Sequence, residues 1–179
     1  NILLFAFSDS NYFAPKLWQS VLEEFLKLAK DNNDYNFYVK TKNNESTELI
    51  TDSIDKKYAN VSNIYFVHEL DTKILKDKIR FIISFSSTLL IESMVSTIPL
   101  LVPMWNDGIK SLEKGATILD LNNDATQYLY SIESFKDLCN ELLDDLSFSN
   151  YVKKIETTKN GRNEYINYYV DKIDGKRTK

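Results

Sequence analysis

Short apolar runs alternate with helix-periodic segments along most of this chain, and this alternation limits its fold more than any other feature. A short continuous apolar run bounded by polar residues is typical of a strand buried on both faces. Strands that alternate with helices of ordinary length need right-handed crossovers and form a parallel sheet. The sequence therefore predicts an α/β fold, a doubly wound parallel sheet of about six strands with helices on both faces. The predicted strands are Ile2–Phe7, Asn36–Lys40, Asn63–Val67, Ile79–Ser84, Pro99–Val102 and Ala116–Leu119.

The predicted helices are segments whose apolar residues recur at helical spacing. The first begins at Pro15, where the missing N–H of proline costs little. The last predicted helix has one continuous apolar face from Phe135 to Leu146. The predicted helices are Leu17–Ala29, Ser46–Tyr58, Ser87–Thr97 (with Leu90, Ile91, Met94 and Val95 facing inward) and Phe135–Leu146.

The length of 179 residues fits one domain with its own core. Residues 1–179 are therefore expected to form a single domain, with residues 148–179 as a C-terminal helical segment. This tail is richer in Lys and Arg than in Asp and Glu, which predicts a final helix with solvated lysines or, alternatively, contact with an anionic membrane surface or a partner domain. Because an apolar run follows Asn1 at once, the chain is expected to be a piece of a longer protein or to have a processed N-terminus.

Composition excludes several classes of function. The 22 Lys and Arg residues and 26 Asp and Glu residues give a net charge of −4, so no nucleic-acid partner is expected. One cysteine and one histidine exclude a disulfide framework, a thiolate zinc site and a multi-histidine metal centre. The 4 glycines form neither a dinucleotide fingerprint nor a P-loop. No apolar run approaches the ~18 residues of a membrane span.

A serine-rich segment directly after the fourth predicted strand is the strongest candidate for a functional site. Ligands of open parallel sheets bind at the carboxyl ends of the strands, near the point where the strand order reverses. Ser86, Ser87 and Thr88 stand at such an end and at the start of a predicted helix, where N–H groups and hydroxyls can bind a phosphate. The same residues are also preferred helix caps, and the sequence leaves both interpretations open.

Glu92 lies one turn into the helix predicted after this segment. A carboxylate at that place can accept both hydroxyls of a ribose, as acidic residues do in other nucleotide sites. Its neighbours in the sequence are apolar, and a buried carboxylate would need a partner. An exposed position without a role is an equal alternative.

Three segments together resemble the donor-site signature of GT-B glycosyltransferases of the bacterial capsule and surface-polysaccharide type. The family pattern is a strand, then Ser-Ser-Thr, then a helix that contains Glu, and then a Pro before the next strand. It is similar to Ile82–Ser93 (I-I-S-F-S-S-T-L-L-I-E-S) followed by Ile98–Val102 (I-P-L-L-V). Tyr38–Lys42 (Y-V-K-T-K) resembles the family's strand that ends in Lys-x-His-Pro. Asn160–Ile166 (N-G-R-N-E-Y-I) resembles the start of its late helix. The segments occur in the family's order over about residues 1–170, which implies a Rossmann-like fold.

The resemblance implies a role for each matching residue. Ser86, Ser87 and Thr88 would bind the donor phosphates, and Lys40 would add a positive charge beside them. Glu92 would bind the ribose. His68, in the loop after the third predicted strand, would border the nucleobase, with a solvated loop histidine as the alternative. No catalytic residue and no metal ligand are assigned.

The resemblance also implies partners and a location. A GT-B enzyme has two Rossmann-like domains with the reaction between them, and this chain resembles the C-terminal, donor-binding half. Its expected partners are a nucleotide-sugar donor, an N-terminal acceptor-binding domain outside this chain, and a glycan or lipid-linked acceptor. No cofactor is implied besides the nucleotide-sugar substrate. The isolated chain is expected to bind its donor weakly, to turn over nothing, and to be cytoplasmic, with a peripheral position at the inner face of the plasma membrane as an alternative.

Two other functions remain open at the level of sequence. One is half of a teichoic-acid-type glycerophosphotransferase, whose CDP-linked donor would use the same serine-rich segment. The other is a non-catalytic Rossmann-like assembly module in which that segment only caps a helix. Lys42 and Ser96 stand where the family pattern has other residues, which favours the module.

Overall fold

The computed structural model describes residues 1–7, 14–41, 58, 60–69, 79–85, 88–113, 126–157, 162–163 and 166–167. Within these residues, one helix follows each of the first, fourth and fifth strands, and two helices in succession follow the sixth. The elements in chain order are β1 (Ile2–Phe5), α1 (Pro15–Asp31), β2 (Phe37–Lys40), β3 (Ile64–Val67), β4 (Ile82–Ile83), α2 (Thr88–Ser93), β5 (Leu100–Pro103), α3 (Gly108–Glu113), β6 (Gln127–Leu129), α4 (Ile132–Leu143) and α5 (Asp145–Thr157).

The strands form one parallel sheet in the order β3-β2-β1-β4-β5-β6. The chain first moves outward from β1 to β3, then returns to the other side of β1 and continues outward to β6. The strand order therefore reverses between β1 and β4, which is where doubly wound folds form a crevice at the carboxyl ends of their strands. The predicted α/β, Rossmann-like fold is confirmed.

Five of the predicted strands are present; the first four are shorter than predicted, and the fifth has the predicted length but begins and ends one residue later. The fourth is the most shortened, but its ladder continues beyond the strand, since the Arg80 N–H donates to the Asn1 carbonyl (2.8 Å) and the Ser84 N–H to the Leu101 carbonyl (3.0 Å). The strand predicted at Ala116–Leu119 lies outside the described residues, as does the helix predicted at Ser46–Tyr58 except for its last residue. Sequence analysis missed β6, whose three residues are too few to show a pattern.

Helix α1 forms because its apolar residues make one stripe and Pro15 occupies its first turn. Every residue of the predicted stripe is buried: Leu17, Trp18, Val21, Leu22, Phe25, Leu26 and Ala29. The carboxyl-terminal end of the helix is bonded to the side chain of Asn63, the residue before β3. The buried Asn63 amide donates to the carbonyls of Ala29 (2.9 Å), Asn32 (3.0 Å) and Tyr35 (2.9 Å), which fixes the turn from α1 into β2.

Helix α2 is shorter than predicted, and one of its predicted inward residues is exposed. The helix ends at Ser93, and a turn follows in which the Met94 N–H donates to the Ile91 carbonyl (3.0 Å). Because the helical spacing stops there, Val95 points outward with 65% of its surface exposed, whereas Leu90, Ile91 and Met94 are buried as predicted. The prediction of an inward Val95 was wrong.

The predicted helix from Phe135 to Leu146 is two helices. Helix α4 ends at Leu143, and Asp144 then caps α5, since its carboxylate accepts the Ser147 N–H at 2.9 Å. Aspartate is a preferred N-cap residue, and such caps begin a new helix. Leu146 therefore leaves the apolar face of α4 and is 72% exposed, so the prediction of one continuous face was wrong.

The junction of α4 and α5 lies against the amino-terminal edge of the sheet. Arg80, which precedes β4, donates to the Leu143 carbonyl (2.6 Å) and pairs with Asp145 (2.7 Å). Tyr35, which precedes β2, donates to the same carbonyl at 2.8 Å. Tyr151 of α5 donates to Gln127, the first residue of β6, at 3.2 Å. Helix α5 thus follows the edge at which the strands begin.

A later part of the chain lies at the same edge. The buried Arg162 guanidinium donates to the carbonyls of Ser96 (2.7 Å) and Ile98 (3.0 Å), which stand just before β5. Burial lowers the pKa of Arg162 to about 10, so the group stays protonated at neutral pH. Helix α5 and Arg162 therefore lie at the amino-terminal edge, opposite the edge at which the strands end.

None of the described helices is both long and apolar enough to cross a membrane.

We expect the thiol of Cys139 to be inert in the folded protein. The side chain is fully buried in α4, and burial raises the pKa of the thiol well above its ordinary value, so the reactive thiolate is scarce. A disulfide reagent such as Ellman's should react at the rate at which the protein opens, and completely in denaturant. Rapid labelling under native conditions would contradict the burial of α4 against the sheet.

Candidate functional site

The candidate site is the carboxyl-terminal edge of the sheet on both sides of the β1–β4 reversal. Lys40 ends β2, His68 and Glu69 follow β3, and Thr88 begins α2 after β4. The structure thus brings the described members of the predicted set to one edge. Ser86 and Ser87 lie outside the described residues, and the side chain of Thr88 does as well.

The sheet register gives the spacing across this edge. Phe5 pairs with Lys40, and Leu4 pairs with Ile83, so Ser84 stands level with Phe5 on its other side. Since neighbouring strands are about 4.8 Å apart, the Cα atoms of Lys40 and Ser84 are separated by about 10 Å. That distance is within the reach of a lysine side chain and a diphosphate bound between them.

Lys40 is partly buried at the end of β2, and its ammonium donates to the Thr41 carbonyl at 2.5 Å. Burial lowers the pKa of Lys40, and the nearby negative charge of Glu69 opposes that shift. A partly desolvated ammonium gains more from an anion than a fully hydrated one does. Lys40 is therefore suited to contact a phosphate.

Glu92 and His68 are both exposed. Glu92 lies one turn into α2 beside Ser93, whose hydroxyl is bonded to the Leu89 carbonyl at 2.7 Å. The carboxylate of Glu92 is therefore solvated and needs no buried partner. Both side chains remain accessible to a ligand at this edge.

Ser84 is fully buried at the end of β4, and its hydroxyl has no hydrogen-bond partner among the described residues. An unpaired buried hydroxyl costs stability. We expect Ser84→Ala to leave the free energy of unfolding unchanged or to raise it by up to about 1 kcal/mol, measured by urea denaturation. A loss of more than about 1 kcal/mol would mean that the hydroxyl has a partner.

Asp107 is a residue of this edge that sequence analysis missed. It follows β5, and its carboxylate accepts the N–H groups of Lys16 (3.1 Å) and Leu17 (2.9 Å) in the first turn of α1. Helix α1 has no cap of its own, because Ala14 stands at its N-cap position. The absence of a capping side chain at Ala14 is visible in the sequence, and it indicates that the first N–H groups of α1 need a partner from elsewhere. The sequence alone did not indicate which residue supplies it.

The loop that carries Asp107 is held against α1 by further contacts. The Trp105 indole N–H donates to the Ser20 hydroxyl at 2.7 Å. A Cβ on Gly108 would stand 2.9 Å from Cδ2 of Leu17, so a larger residue at this position would displace the Leu17 side chain. Asn106 adopts a left-handed conformation with φ of 54°, which asparagine tolerates. The β5–α3 loop is therefore a fixed part of the edge.

Elsewhere, a groove of about 630 Å³ lies between α4, α5 and β6. Its lining is mostly polar and includes Gln127, Asp137, Glu141, Tyr151 and Lys154. None of the predicted site residues lines it. In the described part of the chain, no three His, Cys, Asp or Glu side chains converge as metal ligands.

Comparison with known proteins identifies the fold. No protein-family model and no curated protein matches the chain. The solved structure of TarM matches with a TM-score of 0.54 and 17% identity over 97% of this chain and 34% of that one. The glycotransferase of kitacinnamycin matches with a TM-score of 0.50 and 11% identity over 90% of this chain and 39% of that one. The chain thus spans little more than a third of these larger proteins and shares the Rossmann-like α/β fold of one part of each.

Proposed function

We propose that this chain is the donor-binding part of a glycosyltransferase, which binds a nucleotide-activated sugar for transfer to a surface polysaccharide or glycan. The observation that carries the proposal is the strand order, in which β4 ends beside the reversal point of the sheet. The serine-rich segment Ser86–Thr88 follows β4 in the sequence. Ligands of doubly wound sheets bind at that point. The likeness to a solved glycotransferase supports the same activity at the level of fold.

In this proposal the phosphates of the donor bind between β2 and α2. Ser86, Ser87 and Thr88 supply hydroxyl and backbone donors, and Lys40 supplies a positive charge from two strands away. When the sugar is transferred, negative charge grows on the leaving phosphate. Positioned donors and an ammonium stabilise that charge without a metal, so none is required.

The nucleoside would extend from the phosphates along the exposed residues of the same edge. Glu92, one turn into α2, would accept the two ribose hydroxyls, and its exposure leaves it free to do so. His68, exposed after β3, would border the base.

The acceptor would be held by an N-terminal domain outside this chain. The chain covers 34% and 39% of the two solved proteins it resembles, which leaves room for such a domain. The isolated chain should therefore bind nucleotide without turning over substrate. A CDP-linked glycerol donor would use the same residues, so the identity of the donor is an outcome of the test.

The test is a thermal-shift screen with CMP, CDP, UDP, GDP and their common sugar conjugates. A ligand that binds only the folded state raises the melting temperature, and at 100-fold excess over its dissociation constant it adds about 2.7 kcal/mol of stability. One base should give a clear shift. No shift with any nucleotide at millimolar concentration, also after addition of the acceptor domain, would support the assembly module instead.

Glu92→Gln should weaken binding of the active nucleotide about 10-fold or more, because a charged acceptor of two ribose hydroxyls is lost. Titration calorimetry measures the dissociation constants of the variant and the wild type. The melting temperature of the ligand-free variant should equal that of the wild type, which shows that the fold is unchanged. Ser93→Ala, next to it on α2, is the matched control and should bind as the wild type does, since its hydroxyl is bonded within the helix. Equal affinity of Glu92→Gln and wild type would remove Glu92 from the site.

A further inference from the structure

We propose that Asp107 is a built-in anion, which occupies the amino-terminal end of α1 and thereby keeps a ligand phosphate away from it. The consequence for ligand binding rests on the proposed function: the phosphates of the donor are directed to Lys40 and the β4–α2 connection. The occupation of α1 by Asp107 stands on its own contacts.

Helix α1 is the helix at which an anion would be expected. It has 17 residues and is the next described element after β1, the position whose helix binds the pyrophosphate in many dinucleotide-binding sheets. Its first turn contains no acidic residue, and Ala14 supplies no capping side chain. The unpaired N–H groups and the helix dipole therefore attract a negative charge from outside the helix.

The charge that satisfies α1 comes from Asp107, some ninety residues later in the sequence. Its two carboxylate oxygens accept one N–H each, from Lys16 at 3.1 Å and from Leu17 at 2.9 Å. A ligand phosphate would need the same two donors and would meet the negative charge of the carboxylate.

The carboxylate is held in this position by its own loop. The Asp107 carbonyl accepts the N–H of Ser111 (3.0 Å) and its hydroxyl (3.0 Å), which ties the residue to α3. On the other side, the Trp105 indole is bonded to Ser20 in the second turn of α1. Gly108, next to Asp107, packs closely against Leu17 of α1, which adds a further contact between this loop and the helix.

The experiment compares the melting temperatures of wild type and Asp107→Ala while inorganic phosphate is added at constant ionic strength, with chloride as the other anion. Without phosphate the variant should melt about 2–6 °C lower, because the cap of α1 is lost. At about 50 mM phosphate the difference between the two proteins should shrink by about half, because phosphate takes the vacated donors. Comparing the difference in melting temperature between the two proteins removes any effect of phosphate that both proteins share.

Two further variants keep the test decisive. Asp107→Ser has a side chain too short to accept both N–H groups and replaces Asp107→Ala if that protein does not fold; its deficit in melting temperature should also shrink with phosphate. The control is Asp144→Ala, which removes the aspartate that caps α5 through one exposed hydrogen bond. Its deficit in melting temperature should stay constant as phosphate is added. A deficit of Asp107→Ala that phosphate leaves unchanged, or that shrinks no more than that of Asp144→Ala, would overturn the proposal.

The outcome is independent of the nucleotide screen. If phosphate reduces the melting-temperature deficit of Asp107→Ala but the wild type binds no nucleotide, the role of Asp107 is upheld and the proposed function is rejected. If the wild type binds nucleotide but phosphate does not reduce the melting-temperature deficit of the variant, the proposed function is upheld and the role of Asp107 is rejected.

Discussion

Asn63→Asp is expected to lower the free energy of unfolding by about 3–4 kcal/mol at neutral pH. The Asn63 amide donates to three carbonyls that end α1 and turn the chain into β2, those of Ala29, Asn32 and Tyr35. The side chain is buried, so an aspartate of the same shape would place a negative charge against three carbonyl oxygens without a donor. Urea denaturation of both proteins measures the loss.

The matched control is Asn33→Asp, which makes the same chemical change in the exposed turn after α1. Its free energy of unfolding should stay within about 0.5 kcal/mol of wild type. The deficit of Asn63→Asp should also shrink toward pH 4, because burial raises the pKa of a carboxyl group and the protonated form carries no charge. The unfolded state ionises first as pH rises, so the deficit grows with pH from about 4 upward. Equal stability of the two variants at pH 7 would contradict the contacts of Asn63.

Arg80→Ala is expected to cost about 2–4 kcal/mol of stability. The Arg80 guanidinium is largely buried, donates to the Leu143 carbonyl at 2.6 Å, and lies 4.5 Å from the centre of the Phe148 ring. It therefore joins the sheet to the end of α4 and the start of α5. Denaturant unfolding monitored by circular dichroism would measure the loss.

The other member of the Arg80 ion pair provides the control. Asp145 is 92% exposed at 2.7 Å from Arg80, and an exposed partner contributes little in water. Asp145→Asn should therefore cost less than about 1 kcal/mol. If the two variants lost equal stability, the ion pair and not the buried contacts of Arg80 would hold the junction.

The sequence was sufficient for most of the sheet because buried parallel strands are continuous apolar runs and α1 has an unbroken stripe. It failed where a short-range signal competes with periodicity. The apolar spacing from Phe135 continues to Leu146, but the capping preference of Asp144 begins a new helix and overrides it. Strand β6 was missed because it has three residues, of which only Leu129 is buried, and so short a segment shows no pattern.

The candidate site was predictable only as far as it depends on strand ends. Lys40 ends a predicted strand and His68 follows one, so their position at the same edge follows from parallel topology. Asp107 was not predictable, because its role depends on a contact between a loop after β5 and a helix after β1. The orphaned hydroxyl of Ser84 likewise depends on packing that no local pattern contains.

The most direct test of the central claim is NMR mapping of backbone amide shifts as the nucleotide selected by the screen is added. The account predicts that the affected amides cluster at the carboxyl-terminal edge, at Lys40, Thr41, His68, Glu69, Phe85 and Thr88. Shifts that cluster instead at the groove between α4, α5 and β6, around Gln127, Tyr151 and Lys154, would contradict it.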